Sequence, residues 1–203
     1  MPATAAPRLI LASTSRYRRE LLQRLRWPFE VHSPEVDETP RDAERPADLA
    51  QRLALEKARA VALRHPDAVV IGSDQVADLN GLCLGKPGDH LRAVEQLRLQ
   101  RGQRVVFHTA VAVVRVASAH ERCELASVNV RFRQLSDDDI ETYLRLEQPY
   151  DCAGSAKCET LGIALLEAID SDDPTALVGL PLIRTARMLR DVGIDPLRHR
   201  VTP

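Results

Sequence analysis

The chain opens its pattern with a short apolar run, RLILA at residues 8–12, followed by a hydroxyl cluster, Ser13-Thr14-Ser15. Leu21, Leu22 and Leu25 then fall on one helical face. This predicts a helix from Arg16 to Leu25 with the hydroxyl residues as N-caps. Trp27 to Ser33 reads as a second strand. Residues 34–46, PEVDETPRDAERP, are acidic and punctuated by proline, so they predict a loop. The pattern is helical again from Pro46 to Arg64. AVVIG at 68–72 is a fully apolar strand, predicted to end at Ser73-Asp74-Gln75. Asn80-Gly81 predicts a hairpin turn. A helix over 89–100 and two long β segments over 104–117 and 122–133 follow. Ser136 opens a helix with an acidic first turn, which suits the helix dipole. YDCAGSAKCET at 150–160 predicts a loop. A strand over 163–169 and a helix over 181–191 close the chain. The alternation predicts one α/β domain over residues 1–203, built on a mixed sheet, without repeats or linkers.

Composition narrows the class. With 203 residues, 44% of them hydrophobic, the chain can bury one sizeable core. A net charge of -1 provides no overall field for a nucleic-acid polymer or an acidic membrane. No apolar run approaches the roughly 20 residues of a membrane span. The start, MPATAAPR, lacks the basic and apolar regions of a secretory signal, so a cytoplasmic location is expected. The four cysteines form no CxxC pair and read as reduced structural thiols. Of the 28 basic residues only Lys57, Lys86 and Lys157 are lysine. A lysine kept among so many arginines draws attention, because its compact mobile charge suits a phosphate oxygen.

Four constellations carry candidate chemistry. Ser13-Thr14-Ser15 leads from a strand into a helix bearing Arg18. Free N–H groups, hydroxyls and a bidentate guanidinium at such a place suit phosphate. It is not a Walker A loop, since no glycine-rich GK[ST] run is present. The acidic loop Glu35-x-Asp37-Glu38 offers hard oxygen ligands for Mg²⁺. Asp74 follows an apolar strand and is placed to ligate a metal or accept a proton from water. Lys86 sits between Gly85 and Pro87 in a constrained turn. Each feature also has a purely structural reading, as cap, solvated loop or turn. Together they supply what hydrolysis of a phosphoanhydride requires: cations for the phosphates, carboxylates for a metal, and one carboxylate to handle water.

The residues resemble the Maf-like nucleotide pyrophosphatases, which have the inosine-triphosphatase-like fold. The matching stretches are LILASTSRYRRELL (9–22), EVDET (35–39), LALEKARAV (53–61), VVIGSDQV (69–76), LGKP (84–87), CAGSAKCE (152–159) and LVGLPL (177–182), in order along nearly the whole chain. The resemblance implies a central twisted mixed sheet with flanking helices and a cleft between two lobes. It implies a divalent cation, Mg²⁺ with Mn²⁺ as a substitute, and cleavage between the α and β phosphates. Ser13, Arg18, Lys57 and Lys86 fall on phosphate-binding positions. Glu35 falls on a metal position, and Asp74 falls on the catalytic position and is expected to share the metal. A homodimer is also implied.

Members acting on dTTP and UTP read S-x-R-R and G-x-D-T where this chain has Ser15-Arg16-Tyr17-Arg18 and Gly72-Ser73-Asp74-Gln75. Tyr17, Gln75 and Glu159 look like the YceF-type subgroup, which hydrolyses 7-methyl-GTP. The chemistry agrees. N7-methylation makes guanine cationic, and an aromatic ring such as Tyr17 attracts a flat cation. A carboxylate at Glu159 can accept from the N1–H and N2 amine edge. Gln75 is expected to complete the base edge with its amide. A dTTP/UTP pyrophosphatase remains the alternative enzyme. A regulatory nucleotide-binding protein remains the non-enzymatic one, since the broader family is linked to inhibition of septum formation. Lys157 is left without an assigned role.

Overall fold

A computed structural model describes residues 7–198. The reading of MPATAAPR as carrying no leader falls mostly outside these residues. The strands are β1 (Leu9–Ala12), β2 (Glu30–His32), β3 (Val69–Leu79), β4 (Leu82–Leu84), β5 (Arg104–Arg115), β6 (His120–Phe132) and β7 (Leu166–Asp170). The α-helices are α1 (Arg16–Gln23), α2 (Pro46–Ala62), α3 (His90–Gln100), α4 (Asp137–Glu147) and α5 (Leu182–Asp191). One mixed seven-stranded sheet has the order β2-β1-β3-β5-β6-β7, with β4 paired to β3. The expected α/β class, mixed sheet and flanking helices are present. Among the described residues no helix is long and apolar enough to cross a membrane.

Local signals explain most element boundaries. The Ser15 side chain caps α1 by accepting from Arg18 N. Ser136 and Asp139 form a reciprocal capping box at α4. Pro46 stands in the first turn of α2, where a missing N–H costs nothing. The predicted last strand begins later, at Leu166, because Leu161–Leu165 winds into a 3-10 turn first.

The largest departure is β3. It does not end at Ser73-Asp74-Gln75 but continues to Leu79. These polar residues interrupt the apolar run without interrupting the hydrogen-bond ladder, since β5 pairs with β3 from Val70 through Asp78. Asp74 is therefore inside a strand. What ends nearby is β1, which pairs with β3 only as far as Ala12 opposite Gly72. On that same edge β4 pairs only with Ala77–Leu79. Residues 73–76 of β3 thus face a notch in the sheet between the end of β1 and the end of β4.

The three longest strands span two packing regions. Ala77, Phe107 and Ala126 belong to a core closed by α3 and α4. Val70, Val76, Ala110 and Ala112 pack under α2, while Val69, Ile71, Val111 and Val113 pack against α1 and α5 on the opposite face. The boundary between the regions crosses β3 next to the notch.

Candidate active site

Strand alternation sorts the polar residues of β3 onto two faces. Asp74 shares the face of Val70 and Val76, toward α2. Ser73 and Gln75 share the face of Val69 and Ile71, toward the segment before α5. Helix α2 can approach β3 closely because Gly72 has no side chain. A Cβ there would stand 2.2 Å from the Ala54 carbonyl oxygen and 2.6 Å from Ala58 N. This contact places Lys57, one turn along, directly over Asp74.

Lys57 is buried, and its Nζ lies 2.7 Å from Asp74 Oδ1 and 2.7 Å from Glu38 Oε1. One ammonium thus bridges two carboxylates. Burial works against the charged form of Glu38, but Lys57, with Lys86 and Arg18 behind it, holds its carboxyl below the usual value. The loop carrying Glu38 is tied to α2 by Arg52, which donates to both Glu44 carboxylate oxygens, to Glu56 and to the Thr39 carbonyl.

The notch opens into a cleft of about 620 Å³, within the size range of small-molecule sites. Ser13, Tyr17, Arg18, Lys57, Asp74, Gln75, Lys86 and Glu159 all line it. Glu35 does not. It is exposed, in a left-handed backbone conformation (φ 48°), and Glu38 lines the cleft in its place. The sequence signal for Glu38 was the same acidic triplet. Which carboxylate turns inward depends on the loop path, which spacing alone does not specify.

Among the phosphate-suited residues, buried Ser13 accepts from Ser15 N through its Oγ. Arg18 Nε donates to the Gly179 carbonyl at 2.9 Å. No bond among the described residues engages its two terminal nitrogens, which leaves the guanidinium fork available. Burial lowers the Arg18 pKa, while Asp74 and Glu38 oppose that shift. Arginine remains charged in such settings. Lys86 is exposed on the cleft rim and has no ion pair among the described residues. Its loop is held from α3: Gln96 Nε2 donates to the Gly85 carbonyl, and Gly154 N donates to the same oxygen.

Elsewhere in the lining, the Tyr17 hydroxyl donates to Asp151 Oδ1 at 3.3 Å. The Arg16 guanidinium lies 4.7 Å from the Tyr17 ring centroid and Lys157 Nζ lies 5.9 Å from it. The ring already attracts positive charge. Lys157, left without a role in the sequence, is thus a neighbour of Tyr17. Burial pushes the Cys152 and Cys158 thiols up to about 12. Both remain protonated at neutral pH and are poor nucleophiles. The expected base-edge role of the Gln75 amide needs revision in one respect. Its Nε2 is already engaged by Thr109 Oγ1, Ala176 O and Leu177 O, so its NH₂ is turned away from a ligand. Thr109 and Gly72 were not anticipated from the sequence, because their roles exist only across strands and between layers.

Among the described residues no group of three or more His, Cys, Asp or Glu side chains is arranged to hold a metal alone. Glu38 and Asp74 are the cleft carboxylates that converge on one point of positive charge.

The chain is 70% identical over 186 residues to a Polaromonas sp. (strain JS666 / ATCC BAA-500) protein named 7-methyl-GTP pyrophosphatase, covering 92% of this chain and 85% of that one. It is 64% identical over 190 residues to a protein of the same name from Albidiferax ferrireducens, covering 94% and 96%. A similarly named Bordetella pertussis protein is 58% identical over 197 residues, covering 97% and 98%. Among solved structures, the Staphylococcus aureus Ham1 protein aligns with a TM-score of 0.46 at 15% identity, covering 63% of this chain and 72% of that one. The family described as Maf-like protein matches residues 8–192, and this chain belongs to it.

Proposed function

We propose that this chain hydrolyses 7-methyl-GTP to 7-methyl-GMP and diphosphate. The carrying observation is one cleft that brings together Ser13, Arg18, Lys57, Lys86 and Asp74, which suit phosphate and its hydrolysis, with Tyr17, Gln75 and Glu159, which suit a cationic base. The names of relatives at 58–70% identity support the same substrate. A location in the cytoplasm and a homodimer belong to this reading.

In this reading Asp74 orients a water and takes its proton as the water oxygen bonds to the α-phosphorus. The bond from the α-phosphorus to the bridging oxygen breaks, and diphosphate leaves. Arg18, Lys57 and Lys86 neutralise charge on the departing phosphates. Tyr17 stacks on the cationic base, and Glu159 accepts from its N–H edge. A divalent cation, Mg²⁺ or Mn²⁺, fits the donor set. Glu38 and Asp74 would hold it through hard carboxylate oxygens. When bound, it would supply neutralising charge at the phosphates.

Steady-state kinetics with Mg²⁺ on 7-methyl-GTP, GTP, UTP, dTTP, CTP and ITP tests the proposal. The expected result is the highest kcat/KM for 7-methyl-GTP. Faster turnover of UTP, dTTP or ITP refutes the specificity. Tight binding without turnover of any nucleotide favours the regulatory alternative. Asp74→Asn is expected to lower kcat by about 10²–10⁴-fold, with nucleotide affinity by calorimetry changed only a few-fold. Near-normal turnover in that variant removes Asp74 from the mechanism.

A further inference from the structure

We propose that Thr109 is a positioning residue for base recognition, locking the Gln75 amide so that only its carbonyl oxygen faces the cleft. The inference rests on the proposed function for the identity of the base, but its geometry does not.

Gln75 and Thr109 are direct partners across β3 and β5. Residues opposite each other in an antiparallel pair project on the same face. Gln75 Nε2 lies 2.9 Å from Thr109 Oγ1, 2.9 Å from the Ala176 carbonyl oxygen and 3.1 Å from the Leu177 carbonyl oxygen. Thr109 is fully buried, and its hydroxyl donates to the same Ala176 carbonyl at 2.9 Å. A hydroxyl has one proton. With that proton on Ala176, Thr109 can only accept from Gln75. The two carbonyls can only accept as well. All three neighbours therefore require the NH₂ group, and the flipped amide would set its oxygen against two carbonyl oxygens. The usual ambiguity between amide oxygen and nitrogen is resolved by the surroundings.

The consequence lies on the other side of the amide. Gln75 lines the cleft, and its Oε1 is neither a buried orphan nor bonded to any described residue. It is presented to the ligand as an acceptor. Glu159, which also lines the cleft, is a carboxylate and also only accepts. The lining thus offers two acceptor groups and, at Tyr17, a ring that attracts cations. A base edge rich in N–H donors, on a positively charged ring, complements all three. A base edge presenting lone pairs meets oxygen at both places. Thr109 touches no ligand in this scheme. It acts on the group that does by supplying one of its three acceptors and by bonding the Ala176 carbonyl that supplies another.

Thr109→Val removes the hydroxyl at nearly constant volume, and Thr109→Ser keeps it. The readout is KM and kcat for the preferred nucleotide, whichever the wild type selects. Ribose 5-triphosphate serves as a competitive inhibitor that carries the phosphates and no base. Thr109→Val is expected to raise KM about tenfold, the loss of one net hydrogen bond, with kcat within twofold. Its Ki for ribose 5-triphosphate is expected to stay within twofold, and Thr109→Ser to behave as wild type. An unchanged KM overturns the proposal. So does an equal rise in KM and Ki, or a Ser variant as impaired as the Val variant. If the wild type prefers another nucleotide, the substrate assignment fails while the Thr109 comparison still decides this inference. A second measurement needs no Thr109 variant. The Gln75 side-chain NH₂, assigned by NMR from its loss in Gln75→Leu, is expected to be protected from solvent exchange in the free protein. Rapid exchange there overturns the lock.

Discussion

Lys57 joins two carboxylates with equal distances of 2.7 Å, and this decides which acid of the preceding loop belongs to the site. Glu38 reaches the ammonium, whereas Glu35 stands exposed outside the cleft. Glu38→Gln is expected to raise the Mg²⁺ concentration for half-maximal velocity by at least about 10- to 100-fold, the cost of mutating even the outer-shell partners of a metal's ligands. Glu35→Gln is expected to leave it unchanged. Metal titrations of both variants check this, and the reverse ranking would restore Glu35 to the metal. The pH dependence follows from the direction of the Glu38 shift. Its folded carboxyl lies below the ordinary 4.5, so its contribution is complete above that pH and fades only as pH falls through the lowered value. The residue types at these positions were legible in the sequence: isolated lysines, a hydroxyl cluster and an acidic triplet. The choice between Glu35 and Glu38 was not, because residues three apart in an irregular loop have no fixed relative direction.

At the scale of elements, the site depends on one close contact, α2 against β3 at Gly72. A methyl group there would meet the Ala54 carbonyl at 2.2 Å, and backbone is not a group that yields cheaply. Gly72→Ala is expected to push α2 outward, cost about 1–3 kcal/mol of stability, and lower kcat by separating Lys57 from Asp74. Chemical denaturation and kinetics on the same variant check both effects. Normal stability and turnover would mean that the close approach is dispensable. The helices were readable from their 3.6-residue period, and most strands from their apolar runs. The true length of β3 was not, because Ser73, Asp74 and Gln75 look like a terminus. Their strand state is imposed by β5, which pairs with them through main-chain groups that are indifferent to side-chain polarity.

Over the whole molecule, β3, β5 and β6 run without interruption through both packing regions. Neither region can lose its strands without removing them from the other. Thermal unfolding is therefore expected as one cooperative transition. The single tryptophan, Trp27, reports the region of α1 and α5, and far-UV circular dichroism reports the whole. The two midpoints are expected to coincide, and separated midpoints would show that the regions melt independently. Nucleotide at 100 times its Kd is expected to shift both together, by about 2.7 kcal/mol in stability.

The sequence by itself determined the α/β class, the order of the principal elements and the motif residues of the site. Apolar periodicity and local capping act over a few residues, and the collinear motifs can be recognised without knowing where they meet. Tertiary structure decided the rest. The notch beside β3 exists because β1 stops at Ala12 while β5 continues pairing. Glu38 rather than Glu35 enters the cleft because the loop is fastened to Arg52 of α2. The Gln75 amide presents only its oxygen because Thr109 and two backbone carbonyls claim its hydrogens. Each of these is a relation between different segments of the chain, or between layers. The linear pattern supplied the groups, and their directions came from packing and pairing.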